Sequence, residues 1–279
     1  MNGAGNRGQY SAAERERGRL DRLYGGEILH VRATVTSALA AKQVRDDLAG
    51  LLPSETDPRD AEGTLGLAAF TKCLRGYLRS VRTRPEWRTW IPAIVEEAGL
   101  PLATLRFDTP NLRVVLARPE DKEYSDAVCF AHRDTWSAHH QAQINWWLAV
   151  YDTPWEASMA FFPDLFTHPV PNNSEEVNYA ERRFLDLIGR ASEAERPSPR
   201  ASGDFDRSAE KRIPTLAGDL LVFSAAQLHG TRPNTSGRTR FSLDFRTVLA
   251  DDAERNKGPE NVDNRSQGST LMDMLRVEV

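Results

Sequence analysis

Residues 217–248 read AGDLLVFSAAQLHGTRPNTSGRTRFSLDFRTV. Two β-branched and aromatic runs, DLLVFS and TRFSLDFRTV, flank a centre rich in Gly, Pro, Asn, Thr and Ser. That is the pattern of two strands joined through turns, not of a helix. Side chains alternate along a strand, so Phe241, Leu243 and Phe245 share one face and Arg240, Ser242, Asp244 and Arg246 the other. Four polar residues on one face mean either an exposed edge or an interior that holds water or a polar ligand. Asp244 with Arg246 fits the exposed edge. Arg240, with the Ser242 hydroxyl two residues on, suits a carboxylate: a guanidinium fork plus one further hydrogen bond.

Upstream, the runs ATLRF, NLRVVLA, AVCFAHRD, QINWWLAVYD and SMAFF have the same strand-like make-up. Together with the first two runs they lack alternating long helices, which predicts an antiparallel barrel or sandwich and not a doubly wound sheet. Residues 18–100 instead follow a helical period. Leu67, Phe70, Leu74, Tyr77, Leu78 and Val81 fall on one face, and a second helix begins near Pro85, carries Trp87, Trp90, Ile91 and Ile94, and stops at Gly99 and Pro101. Residues 1–17 read as a frayed tail and 251–279 as a C-terminal extension. Residues 164–213 interrupt the strands with Pro169, Pro171, Asn172, Asn173 and a helical piece around Tyr179–Leu187, as a lid or binding loop would. The expectation is one functional domain: a mainly β core over 101–250 with flanking N-terminal helices.

The 279 residues carry 36 Lys and Arg against 40 Asp and Glu, a net charge of −4, which provides no general field for nucleic acid. Arg-rich stretches near 14–19 and 75–88 are interleaved with Glu or lie on helices, and read as solvated faces. No apolar run is long enough to span a membrane and no secretory leader is evident, so the chain reads as cytoplasmic. Cys73 and Cys129 read as two reduced, buried thiols.

Of six histidines, two have unusual company. His132 and Asp134 flank Arg133 at the end of a strand, where positions two apart share a face. His229 follows Asp134 by 95 residues, just past DLLVFS. Two imidazoles and one carboxylate on one face of an octahedral ion leave three open positions, the facial triad of non-haem Fe(II) oxygenases. Alone, a His-x-Asp pair is more often a surface hydrogen bond. Gln143, Asn145 and Trp147 share a strand face, and their amides suit either a carboxylate or metal-bound water, or the fold's own backbone. His132-Arg133-Asp134 also matches the kinase catalytic tripeptide, but position 139 is His where a kinase needs Asn.

Residues 217–248 resemble the C-terminal half of the phytanoyl-CoA dioxygenase-like family of Fe(II)/2-oxoglutarate oxygenases in the AGD turn, the strand, His-Gly, the PNTS turn and Arg-x-Ser. FAHRDTW, INWWLAVYD and SMAFFP resemble that family's first metal strand and the next two. The resemblance spans most of residues 103–248. It implies a double-stranded β-helix of the jelly-roll or cupin kind, with Fe(II), 2-oxoglutarate and O₂ as cofactors. It implies that His132, Asp134 and His229 bind the metal. Arg240 and Ser242 would hold the distal carboxylate of 2-oxoglutarate, with Thr231, Trp147 and Asn145 as further contacts.

The resemblance implies oxidation with release of succinate and CO₂, and the expected reaction is hydroxylation of a small polar metabolite or biosynthetic intermediate. The same chemistry also gives desaturation, epoxidation or ring closure. Halogenases of this fold replace the carboxylate by Gly or Ala, so Asp134 speaks against halogenation. Trp136, His139 and Gln143 are candidates for the substrate pocket. Loop histidines are more often exposed, however, and tryptophans more often core. The competing readings are a cupin-like protein that binds a metal or small acid without turnover, and an oxygenase acting on a macromolecule.

Overall fold

Two antiparallel sheets organise the computed structural model, which describes residues 11–187 and 198–277. The front of the chain is helical: α1 (Ala12–Tyr24), α2 (Val35–Gly50), α3 (Ala61–Leu65), α4 (Leu67–Ser80) and α5 (Trp87–Glu97). Residues 12–17, expected in the frayed tail, belong to α1. Ser11 accepts from the Glu14 backbone N–H and Glu14 reaches back to the Ser11 N–H, a reciprocal cap. Arg17 then pairs with the buried Asp252, and Leu20 and Leu23 anchor the helix in the core. In α4, Phe70, Leu74 and Tyr77 are buried as the period requires, while Leu67 is exposed at the helix start. A strand is set into this region, β1 (Leu29–Val31).

The remaining strands are β2 (Leu105–Phe107), β3 (Asn111–Val115), β4 (Ala131–His132), β5 (Ile144–Ala149), β6 (Ala160–Phe161), β7 (Lys211–Arg212), β8 (Leu220–Ser224), β9 (His229–Gly230), β10 (Arg240–Leu249) and β11 (Leu275–Arg276). Helices α6 (Lys122–Val128), α7 (Tyr179–Leu187) and α8 (Ala250–Glu254) lie between them. Ala127 and Val128, expected in a strand, close α6 instead, because Asp121 caps that helix on the Tyr124 N–H.

The large sheet runs β1-β8-β5-β10-β2-β11, with β3 also on β10; the small sheet runs β4-β9-β6-β7. Both faces of the large sheet are covered, and every residue of β5 and β8 is buried. Its outer face (Ile144, Trp146, Leu148, Leu220, Val222, Phe241, Leu243, Phe245) shares one core with the helices. Its inner face packs on the small sheet, where Trp147, Ala149, Leu221 and Phe223 meet Phe161. Among the described residues no strand pairing joins the two sheets. The layout is therefore two facing sheets, not the closed barrel expected.

β10 lies between β5 on one side and β2 and β3 on the other. This corrects the exposed-edge reading of Asp244 and Arg246: they belong to the inner face of a central strand. The 164–213 segment contains α7 as expected, and its residues 188–197 lie outside the described set. The C-terminal extension is built into the fold, with β11 adding to β2. No helix among the described residues is long and apolar enough to cross a membrane. Cys73 and Cys129 are unpaired and half-buried.

Candidate metal centre

β4 and β9 pair so that His132 lies directly opposite His229. Arg133 has extended backbone (φ −107°, ψ 141°), which returns Asp134 to the same side as His132 before the chain turns into a 3₁₀ segment. His132 Nε2 is 3.3 Å and His229 Nε2 3.7 Å from Asp134 Oδ1. The three ligand atoms lie within 4.8 Å of one another, a group that could hold a metal ion. His229 Nδ1 is 2.8 Å from the Gln227 carbonyl oxygen. That carbonyl can only accept, so Nδ1 carries the proton and the Nε2 lone pair faces the centre. Phe161 and Phe223 pack on the His229 ring. Burial, reinforced by His132, pushes the His229 pKa down to about 4, so the ring is neutral at physiological pH.

Burial works against a charge on Asp134, but Arg246 and the two histidines outweigh it and hold the carboxyl well below its ordinary range. Its second oxygen, Oδ2, accepts from Arg246 Nε at 3.0 Å. Arg246 also bonds Asp108 Oδ2 through Nη1 at 2.9 Å.

Further along the inner face, Arg240 is 6% exposed and donates through Nη1 to the Ala157 carbonyl at 2.8 Å. Its guanidinium carbon sits 5.8 Å from the centre of the Trp147 ring. Arg240 Nε and the fully buried Ser242 hydroxyl have no hydrogen-bond partner among the described residues, and no carboxylate there pairs with Arg240. Burial pushes the Arg240 pKa down to about 10, so it remains a cation at neutral pH.

The other candidates are distributed as follows. Asn145 lies opposite Arg246 and accepts from Gln143 Nε2 at 2.8 Å, both side chains being buried. Thr231 follows β9, half-buried. Trp136 is fully buried in the cluster with Phe162 and Leu228, its indole N–H on Asp263 at 2.7 Å. His139 is half-buried against Thr270, and burial together with the Arg246 charge pushes its pKa down to about 3. A cavity of about 660 Å³ lies at the far end of β10, with Arg59, Tyr151, Thr215 and Arg240 in its wall and none of the three metal-site residues.

Three residues that shape this centre were not read from sequence as part of a site, Arg246 having been read as an exposed edge. Arg246 shares the strand parity of Arg240, which was the available signal. Asp108 sits in the short gap between β2 and β3, and Asp263 in a polar tail. Asp263 bonds Arg133 Nε at 3.0 Å, between two of the metal-site residues, and nothing in its sequence neighbourhood marks it.

No protein-family model matches the sequence, and no curated protein matches it. Among solved structures, the chain is similar to the non-heme alpha ketoglutarate dependent epimerase SnoN from nogalamycin biosynthesis (19% identity, covering 84% of each chain, TM-score 0.44). It is also similar to the non-heme monooxygenase ThoJ (17% identity, 86% of this chain and 77% of that one, TM-score 0.47). A third is the non-heme alpha ketoglutarate dependent carbocyclase SnoK, also from nogalamycin biosynthesis (15% identity, 91% and 96%, TM-score 0.43).

Proposed function

We propose that this chain is a non-haem Fe(II) enzyme that uses 2-oxoglutarate and O₂ to oxidise a small polar molecule, of the phytanoyl-CoA dioxygenase-like kind, its two facing sheets being the halves of a double-stranded β-helix. One observation carries the reading. The strand face that brings Arg246 onto a two-imidazole, one-carboxylate cluster within 4.8 Å also carries Arg240, a buried cation with no carboxylate partner among the described residues.

The donor set fits the metal. His132, Asp134 and His229 offer two nitrogens and one oxygen and no thiolate, which suits Fe(II) with open positions. The inner face also fits the cosubstrate. A buried guanidinium and an unpartnered hydroxyl, Arg240 and Ser242, are what a distal carboxylate would satisfy. Trp147 lies against that guanidinium and bounds the space on one side. With Fe(II) and 2-oxoglutarate bound, the centre would couple decarboxylation to succinate and CO₂ with oxidation of a substrate C–H bond.

The chain's own residues supply placement. Arg240 and Ser242 orient the acid, Asn145 and Thr231 are further contacts, and Phe161 and Phe223 keep water from one side of His229. For the substrate, the inner face carries Arg113, whose side chain is 58% exposed beside Asp244. That polar wall suits a polar metabolite; of the pocket candidates, His139 keeps partial exposure, while Gln143 and Trp136 are fully buried. Hydroxylation is the reaction we favour; desaturation, epoxidation and ring closure need only a different substrate placement. Asp134 stands where a halogenase would need a small residue.

The test is anaerobic addition of Fe(II) and 2-oxoglutarate to the purified protein. A visible charge-transfer band is expected, followed by succinate when O₂ is admitted, and Asp134→Ala should lose both. A band with no succinate against any substrate panel would favour binding without turnover. Wild-type-like succinate from Asp134→Ala would remove the triad from the reading.

A further inference from the structure

Between β2 and β3 the chain carries one extra residue. Thr247 of β10 lies opposite Phe107 and Asp244 opposite Asn111, so the three residues 108–110 span the two positions of Phe245 and Arg246. This is a β-bulge, a device that re-aims a side chain. Here it re-aims Asp108. Its Oδ1 accepts the Arg246 backbone N–H at 2.6 Å and its Oδ2 accepts Arg246 Nη1 at 2.9 Å. The Asp108 N–H in turn donates to the Arg246 carbonyl at 3.1 Å. The third corner of the guanidinium, Nη2, faces Asp244 Oδ2 at 3.6 Å, and Asp244 is itself held by Arg113 at 2.8 Å. With two corners fixed, Nε is left on Asp134 Oδ2 at 3.0 Å.

We propose that Arg246, fixed by Asp108 across the bulge, is a positioning residue that keeps Asp134 a one-oxygen ligand. The proposal rests on the metal reading above. A carboxylate free to rotate can bind a metal through both oxygens and take two positions. With two imidazoles, that leaves two open positions on an octahedral ion instead of three. Two are filled by a chelating 2-oxo acid, and none would remain for O₂. In the structure the two oxygens of Asp134 are already assigned: Oδ1 faces both imidazoles, and Oδ2 is occupied by Arg246. Removing the guanidinium also removes a positive charge beside the centre. Metal affinity alone therefore responds in two opposing directions, and the decisive readout is the number of open positions.

The experiment uses the full chain and Mn(II), which reports its bound waters by water-proton relaxation and needs no turnover. Wild type is expected to hold Mn(II) with three exchangeable waters. Arg246→Gln should hold it with two, and adding 2-oxoglutarate should then leave no exchangeable water where wild type keeps one. Arg246→Lys keeps the charge without the fork and should fall between. Asp108→Asn, which leaves Arg246 in place but loosens it, should shift the count in the same direction by less. Three waters without 2-oxoglutarate and one with it in a folded Arg246→Gln protein would overturn the proposal, as would a lowered melting temperature with both counts unchanged. Failure of the metal reading looks different: wild type would then bind no Mn(II), or Asp134→Ala would bind it equally well.

Discussion

A guanidinium removed from water without a counter-charge costs several kcal/mol, and Arg240 is in that position: 6% exposed, with one carbonyl partner and Nε unsatisfied. A side chain that only stabilised the fold would have an acid beside it, as Arg133 has. Arg240→Met should therefore leave the melting temperature of the ligand-free protein unchanged or higher. The variant should also lose the stabilisation that 2-oxoglutarate gives wild type, about 2.7 kcal/mol at 100 times Kd. Thermal unfolding with and without the acid checks both, and a large drop in the ligand-free protein would make Arg240 structural. His229 offers a pH test. Its folded pKa of about 4 lies below the ordinary histidine value of 6.5. Between those values the unfolded chain binds a proton that the folded metal-free protein does not, so stability falls as pH drops from 6.5 to 4 and is unaffected above 6.5. The loss is on the order of 2–3 kcal/mol. Denaturant titrations of wild type and His229→Asn across that window should show the shallower slope in the variant. At this scale the sequence carried the triad and Arg240, because strand parity and spacing are local. Parity also placed Arg246 beside Arg240, but whether a strand is edge or centre depends on its neighbours, which a single strand does not reveal.

Among the elements, β10 does the most to place the centre. Ten residues long, it gives Arg240, Ser242, Asp244 and Arg246 to the inner face and Phe241, Leu243 and Phe245 to the helical core. The two faces should separate in experiment. On the outer side Trp146 stacks on Phe245 with ring centroids 5.5 Å apart and donates its indole N–H to Thr247 Oγ1 at 2.9 Å. Trp146→Ala should cost about 3–5 kcal/mol by cavity formation. In the fraction that remains folded, Mn(II) affinity should stay within about 2-fold, because none of its contacts reach the triad. Urea denaturation paired with a metal titration measures both; a collapse of metal affinity in the folded protein would tie the outer face to the site. The long strands and the α4 and α5 helices were legible because periodicity grows clearer with length. The two-residue strands β4 and β6 were visible only as parts of longer apolar runs, β9 fell in a stretch read as turns, and β1 was hidden among helices. Strands that short exist by pairing, as β9 does between β4 and β6, and carry no periodicity of their own.

Across the whole molecule, the C-terminal extension reaches back to the centre from the far end of the chain. Arg133, 1% exposed in its side chain, stands between His132 and Asp134 and points away from them. Its guanidinium donates to the carbonyls of Leu165, Phe166, His168 and Ala226 and pairs with Asp263. Asp263 also accepts from the Trp136 indole at 2.7 Å and the Val170 N–H at 3.0 Å. One carboxylate thus joins the metal-site turn, the start of the 164–213 segment and the tail. Reading the tail as an extension missed this, because a contact 130 residues apart in sequence leaves no local pattern. Asp263→Ala should leave a buried cation uncompensated and cost about 3–5 kcal/mol, the scale for breaking one side of a buried pair. Asp263→Asn keeps a hydrogen-bond acceptor and should cost less. Because Arg133 is covalently flanked by two of the three proposed ligands, the loss should extend to the centre, and folded Asp263→Ala should bind Mn(II) more weakly than wild type. Equilibrium unfolding and metal titration on the same preparations decide it. Unchanged stability would mean that the four carbonyls alone hold Arg133. Lowered stability with unchanged metal affinity would mean that the tail supports the fold without reaching the centre.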